Sequence, residues 1–129
     1  MKNNNWSGRT VKFTIGPDNL DCYLTIGEVD NDNVEDYPHL RVGEPCYFDL
    51  TLSRAGEELR VYSLLTTLLT RLIIKGENLR NALALLRGQA FEPSGLVAIN
   101  GGRLHHYKSI PDLVARYVTD AYYKEETNT

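Results

Sequence analysis

A chain of 129 residues holds one domain with a genuine core and is too short for two. With 14 basic and 17 acidic side chains the net charge is -3, which excludes the broad basic surface that duplex nucleic acid requires but leaves a few arginines free to hold one phosphate. Two cysteines, Cys22 and Cys46, lack C-x-x-C spacing, which excludes a disulfide framework and a zinc or redox pair; both sit in strand-like runs and read as small buried hydrophobes.

Residues 1–9 are polar and are expected to fray, and Met1–Asn5 leads into no apolar stretch, so no signal peptide is expected. Val11, Phe13 and Ile15 alternate with Lys12 and Thr14, the period of a strand. Gly16-Pro17-Asp18-Asn19 has turn chemistry, and residues 22–27 give the return strand. An acidic, Asn-rich loop follows from Glu28 to Asp36. It imitates a calcium loop only in outline: counting from Asp30, Val34 stands where a ligand is needed and Glu35 where the sharp turn needs glycine. It reads as a solvated loop. Leu40-Arg41-Val42 and residues 47–52 suggest two further strands.

The period then changes. Val61, Leu64, Leu65, Leu68, Leu69 and Leu72 recur at three and four residues, a helical stripe wide enough to demand burial on more than one side, under a sheet or in a subunit contact. Thr66, Thr67, Thr70 and Arg71 make this run too polar to span a bilayer, and Gly76 stops it. A second helix is expected around Leu79, Ala82, Leu83 and Leu86, capped by Asn78 and ended by Gly88. Leu96 to Ile99 suggests a short strand. Ser109-x-x-Asp112 with Pro111 starts a last helix, whose buried face is Leu113, Val114, Tyr117, Val118 and Tyr122. Residues 124–129 are expected to fray. The sum is an α+β domain, an antiparallel sheet with a helical pair inserted between strands and a helix at the C-terminus.

No nucleophile, base and orienting group assemble in the pattern: G-x-S-x-G, H-E-x-x-H, a P-loop and Cys/His metal spacing are all missing. Adjacent His105 and His106 would face opposite ways on a strand and could not share a metal. The expectation is a binding protein, not an enzyme, with no cofactor and no metal. The segment from Phe91 to Arg103 has the residues of a ligand loop. Phe91 offers a ring to stack on a base, Ser94 and Gly95 offer hydroxyl and backbone donors, and Asn100 offers donor and acceptor together. Gly101-Gly102 permits close approach, and Arg103 can grip a phosphate with two donors. Set against that, Phe91 can be core, the glycines mere turn residues and Arg103 solvated. On the last helix Asp112, Arg116 and Asp120 share one face. They read either as a surface ion-pair ladder or as two carboxylates orienting Arg116 toward a phosphate. Arg71, inside a leucine-rich run, and Arg80 are further anion candidates.

Phe91-Glu92-Pro93-Ser94-Gly95, followed by Asn100, Arg103, Ser109-Ile110, Asp112, Val114 and Arg116, resembles the TSCPD domain, the C-terminal module of cobalamin-dependent ribonucleotide reductases that also occurs alone. The likeness runs from Val11 to Tyr123, with one extra residue around Gly101-Gly102. The reductase barrel, its radical cysteine and its C-terminal redox cysteines are missing. A free-standing domain of this layout also resembles the phage-encoded Thoeris anti-defence sponge family, oligomers that sequester cyclic ADP-ribose signals, and in some members cyclic di- or trinucleotides, at subunit interfaces. The resemblance implies Phe91 as a stacking ring, Asn100 as a polar contact and Arg116 as a phosphate partner, in a homo-oligomer acting in the host cytoplasm without duplex nucleic acid or membrane. The alternatives are an accessory or regulatory nucleotide-binding domain related to ribonucleotide reductase and, further off, a metal-dependent cyclic-nucleotide hydrolase using the acidic loop.

Overall fold

The computed structural model of the chain describes residues 8–16, 20–52, 61–90 and 94–123. Five strands form one antiparallel sheet: β1 (Gly8–Ile15), β2 (Leu20–Glu28), β3 (Pro45–Leu52), β4 (Gly95–Ile99) and β5 (Leu104–Tyr107). They lie in the order β3-β2-β1-β4-β5. Helices α1 (Val61–Ile74) and α2 (Leu79–Leu86) are inserted between β3 and β4, and α3 (Ile110–Tyr122) closes the chain. No helix among the described residues is long and apolar enough to cross a membrane.

The period-two alternation puts Val11, Phe13 and Ile15 of β1 on one face with Cys22, Leu24 and Ile26 of β2, and Phe48 and Leu50 of β3. The helices cover that face through Leu69, Ile73, Leu83, Leu113, Val114 and Val118. The sheet is antiparallel and only one side is covered, so the opposite face carries Thr10, Lys12, Tyr23, Thr25 and Asp49. Cys22 is fully buried, and burial pushes its thiol up to about 12, so it stays a neutral packing group. Gly8 is fixed by close approach: a Cβ there would stand 2.0 Å from the Ile26 carbonyl oxygen.

The two sheet edges are treated differently. β3 is an edge strand, and α1 lies along it. Thr70 Oγ1 accepts the Phe48 amide at 2.9 Å, and Thr66 Oγ1 accepts the Leu50 amide at 3.2 Å. Ser63 donates its hydroxyl to the Leu50 carbonyl at 2.7 Å. The hydroxyl residues that make α1 too polar for a bilayer are thus the ones that satisfy an open strand edge.

One expectation is corrected, and two further features were not read from the sequence. Leu40-Arg41-Val42 is a turn, not a strand, closed by the Gly43 amide to the Val29 carbonyl at 2.8 Å and the Glu44 amide to the Arg41 carbonyl at 3.1 Å. Residues 104–107, a histidine pair without apolar alternation, form β5 because β4 offers them a free edge. Of the α1 stripe, expected to be buried under a sheet or in a subunit contact, Leu69 lies in the core while Val61, Leu64, Leu68 and Leu72 are exposed on the single chain. The expected turn at residues 17–19 and both frayed ends lie outside the described residues.

Candidate functional site along the open sheet edge

The site is built around Asp112. Ser109 caps α3, its hydroxyl accepting the Asp112 amide at 3.0 Å and donating to the Gln89 carbonyl at 2.7 Å. In a capping box the Asp112 carboxylate would return to the Ser109 amide. Instead it accepts the Gly88 amide at 2.7 Å, the Lys108 amide at 2.9 Å and Arg116 Nε at 2.9 Å. One side chain therefore ties the end of α2, the end of β5 and the body of α3 together. Burial by itself would raise the Asp112 carboxyl, but the Lys108 and Gly88 amides and the Arg116 guanidinium outweigh it and hold the group below its ordinary value.

Asp112 is fully buried while the Arg116 side chain is 37% exposed, so the surface-ladder reading of Asp112, Arg116 and Asp120 fails for its first member. Arg116 uses one of its five donors on a buried, fixed carboxylate, and its fork is held at the surface in one direction. Asp120, exposed one turn further on, shares its helix face. Both charges reach Tyr107 of β5: burial raises that phenol, Asp120 adds to the effect and Arg116 opposes it. The His105 ring lies 6.4 Å from that of Tyr107. The buried Tyr107 thus has Arg116 and Asp120 of α3 nearby, and His105 lies on the same face of β5. Gly95 pairs with Tyr107 and brings Ser94 to the same end.

Asn100 and Arg103 lie at the other end of the β4–β5 hairpin, roughly 13–16 Å away along the strand. Asn100 has a positive φ of 51°. Its amide donates to the Lys12 carbonyl at 2.7 Å and its Oδ1 accepts the Lys12 amide at 2.8 Å, so it extends the β1–β4 ladder by one rung. Arg103 is exposed beside that turn. Arg71 is exposed on α1, along the opposite edge of the sheet. Arg80 sits over the Tyr123 ring at 5.5 Å. Phe91 lies outside the described residues. The structure thus joins Arg116, Asp120, Gly95 and Ser94 in one region, puts Asn100 and Arg103 at its far end and leaves Arg71 across the sheet.

Tyr107 and His105 were missed. The signal was present: Asn100-Gly101-Gly102 is hairpin chemistry, and the alternation Arg103, His105, Tyr107 follows it. The acidic loop is committed to its own turn, with Asp30 Oδ1 accepting the Asp32 and Asn33 amides and Asn33 Oδ1 accepting the Asp30 amide. Two cavities lie away from Asp112 and Arg116. One, about 490 Å³, lies over Gly8, Gly27 and Tyr47; the other, about 330 Å³, lies between the α1–α2 turn and the start of β3. Neither cavity is lined by Asp112, Arg116 or Tyr107.

No family model, curated protein or solved structure matches the chain.

Proposed function

We propose that the protein binds and sequesters a cyclic nucleotide-type signal, a cyclic ADP-ribose isomer or a cyclic di- or trinucleotide, holding it unchanged and so blocking a host defence that depends on it. The observation that carries this reading is the Asp112–Arg116 arrangement. A guanidinium pinned from behind by a buried carboxylate loses little freedom when it meets a phosphate, so the contact favours tight holding. His105, exposed on β5 next to the buried Tyr107, supplies a flat ring for a base or ribose in this reading. The protein acts in this reading as a homo-oligomer in the host cytoplasm.

The test is capture and release. Purified protein is mixed with cyclic ADP-ribose isomers and cyclic di- and trinucleotides, washed and heated, and the released compound is identified by mass. Intact ligand is the expected outcome, with Arg116→Ala weakening binding by about tenfold or more and Arg116→Lys recovering only part of it, because a lysine lacks the fork. A cleaved product would point to a hydrolase, and no capture at micromolar concentration by any of these compounds would sink the proposal.

A further inference from the structure

We propose that the open face of the sheet carries a separate binding site for a neutral, polyhydroxylated ring, a pyranose sugar. The helices cover one side of the sheet. The other side is laid out in rows across three strands, with Gly8, Gly27 and Tyr47 in one row and Thr10, Thr25 and Asp49 in the next. The cavity of about 490 Å³ lies over these rows, bounded by Gly8, Thr10, Thr25, Gly27 and Tyr47. Among its described lining residues none comes from a helix. Its volume falls within the range of roughly 300–1,000 Å³ that holds small molecules. Two glycines side by side on neighbouring strands leave a floor of bare backbone, against which a flat ring can lie closely.

The lining selects the occupant. A pyranose carries C–H groups on its faces and hydroxyls around its rim, and the site has a partner for each. The Tyr47 ring, 36% exposed, is a wall for a C–H face. Thr10 Oγ1 and Thr25 Oγ1 stand 3.2 Å apart, and either can donate to the other. The pair can therefore give or take a further hydrogen bond, as a sugar hydroxyl does. Asp49, cross-strand from Thr25 at the border of the cavity, adds an acceptor. Thr51 donates to its Oδ2 at 3.1 Å, which uses one of the roughly four acceptor positions of a carboxylate. Charge argues against an anion. Among the described lining residues Arg9 alone is charged, and it turns to the covered face, its guanidinium 4.9 Å from the Tyr122 ring centre and its Nε 3.7 Å from Glu28. Lys12, one row further along the open face, is paired with Asp21 at 3.9 Å. A phosphate or carboxylate in the cavity would thus meet Asp49 with no lining cation to offset it. The helix that bears Arg116 packs on the other side of the sheet, so this inference stands or falls apart from the proposed function.

Titration of the isotope-labelled chain with methyl glucoside, methyl galactoside, methyl mannoside and N-acetylglucosamine, followed by NMR, is the test. At least one of these sugars is expected to bind with a dissociation constant of about 1 mM or below. It should move the amide signals of Gly8, Thr10, Thr25 and Gly27 and leave those of Lys108, Asp112 and Arg116 in place. Tyr47→Ala is expected to weaken binding at least about tenfold, and Tyr47→Phe, which keeps the ring, to stay within about threefold of wild type. If Tyr47→Ala fails to fold, Thr25→Val decides: it keeps the branched shape and the strand preference and should weaken binding about fivefold through the lost hydroxyl. Four sugars that leave every signal unmoved at about 20 mM overturn the inference. So do shifts confined to residues outside the cavity, a folded Tyr47→Ala or Thr25→Val variant that binds like wild type, and displacement of the sugar by adenosine or by galacturonate at a lower concentration than the sugar itself needs.

Discussion

The sheet has two edges, and the chain finishes them in opposite ways. At β3 a helix comes alongside, and three hydroxyls from Ser63, Thr66 and Thr70 take up the backbone groups of Phe48 and Leu50. At β5, among the described residues, no side chain caps the outer backbone. α3 is instead tied to the end of the strand by Asp112, whose carboxylate collects Gly88, Lys108 and Arg116. The first edge is closed by neutral hydrogen bonds from the adjoining helix. The second stays open beside a fixed charge. An open strand edge is a hazard that folded proteins ordinarily cover, and in the proposed function this is the side of the molecule that meets the ligand.

The comparison breaks first at Asp112. Asp112→Ala removes a fully buried carboxylate with three donors and is expected to cost about 3–5 kcal/mol in urea unfolding. It should abolish ligand capture with it, because Arg116 loses its anchor. A cost under about 1 kcal/mol would mean that α2 and α3 are joined by packing alone. Asp112→Asn sharpens the same point through pH. The native carboxyl is held below its ordinary value, so its stabilisation is complete above the unfolded pKa of about 3.9 and is lost as pH falls through the native value. The wild-type advantage over Asp112→Asn should therefore shrink steadily in unfolding experiments carried from pH 6 toward about pH 2.

The closed edge comes next. Thr66→Val keeps the shape and removes the acceptor for the buried Leu50 amide, at an expected cost of about 1–2 kcal/mol, and the double variant with Thr70→Val should also aggregate on heating as the β3 edge comes free. Neither change should touch ligand capture; a loss of binding would show that the two edges are coupled. The smallest effect is expected at Asn100. Asn100→Gly keeps the positive φ and loses only the Oδ1 acceptor for the Lys12 amide, for about 0.5–1 kcal/mol by thermal unfolding. If it also lowers ligand affinity, Asn100 contacts the guest as well as the ladder.

Much of the architecture is legible in the chain. The alternation at residues 11–15 and 22–27, the leucine spacing of α1, Asn78 and Ser109 as caps and Gly76 as a stop are local signals, and each acts within a few residues of itself. The site was legible in part. Arg116 and Asp112 stand four apart on one helix, so their meeting follows from the helix itself. The strand bearing Tyr107 and His105 was passed over because its four residues, two of them histidines, have no apolar period, which left only the Asn100-Gly101-Gly102 turn to announce it.

By itself, the sequence determined the α+β class, the helical pair between strands and the two cysteines as packing groups, since periodicity and capping are properties of neighbouring residues. The tertiary structure alone decided that Asp112 is a buried junction and not a surface rung, that Asn100 completes a ladder, that threonines in a leucine helix close a strand edge and that the outer leucines remain bare. Each of these depends on what lies across from a side chain after the sheet has ordered itself β3-β2-β1-β4-β5, and contacts between residues 16 to 88 positions apart leave no periodic trace along the chain.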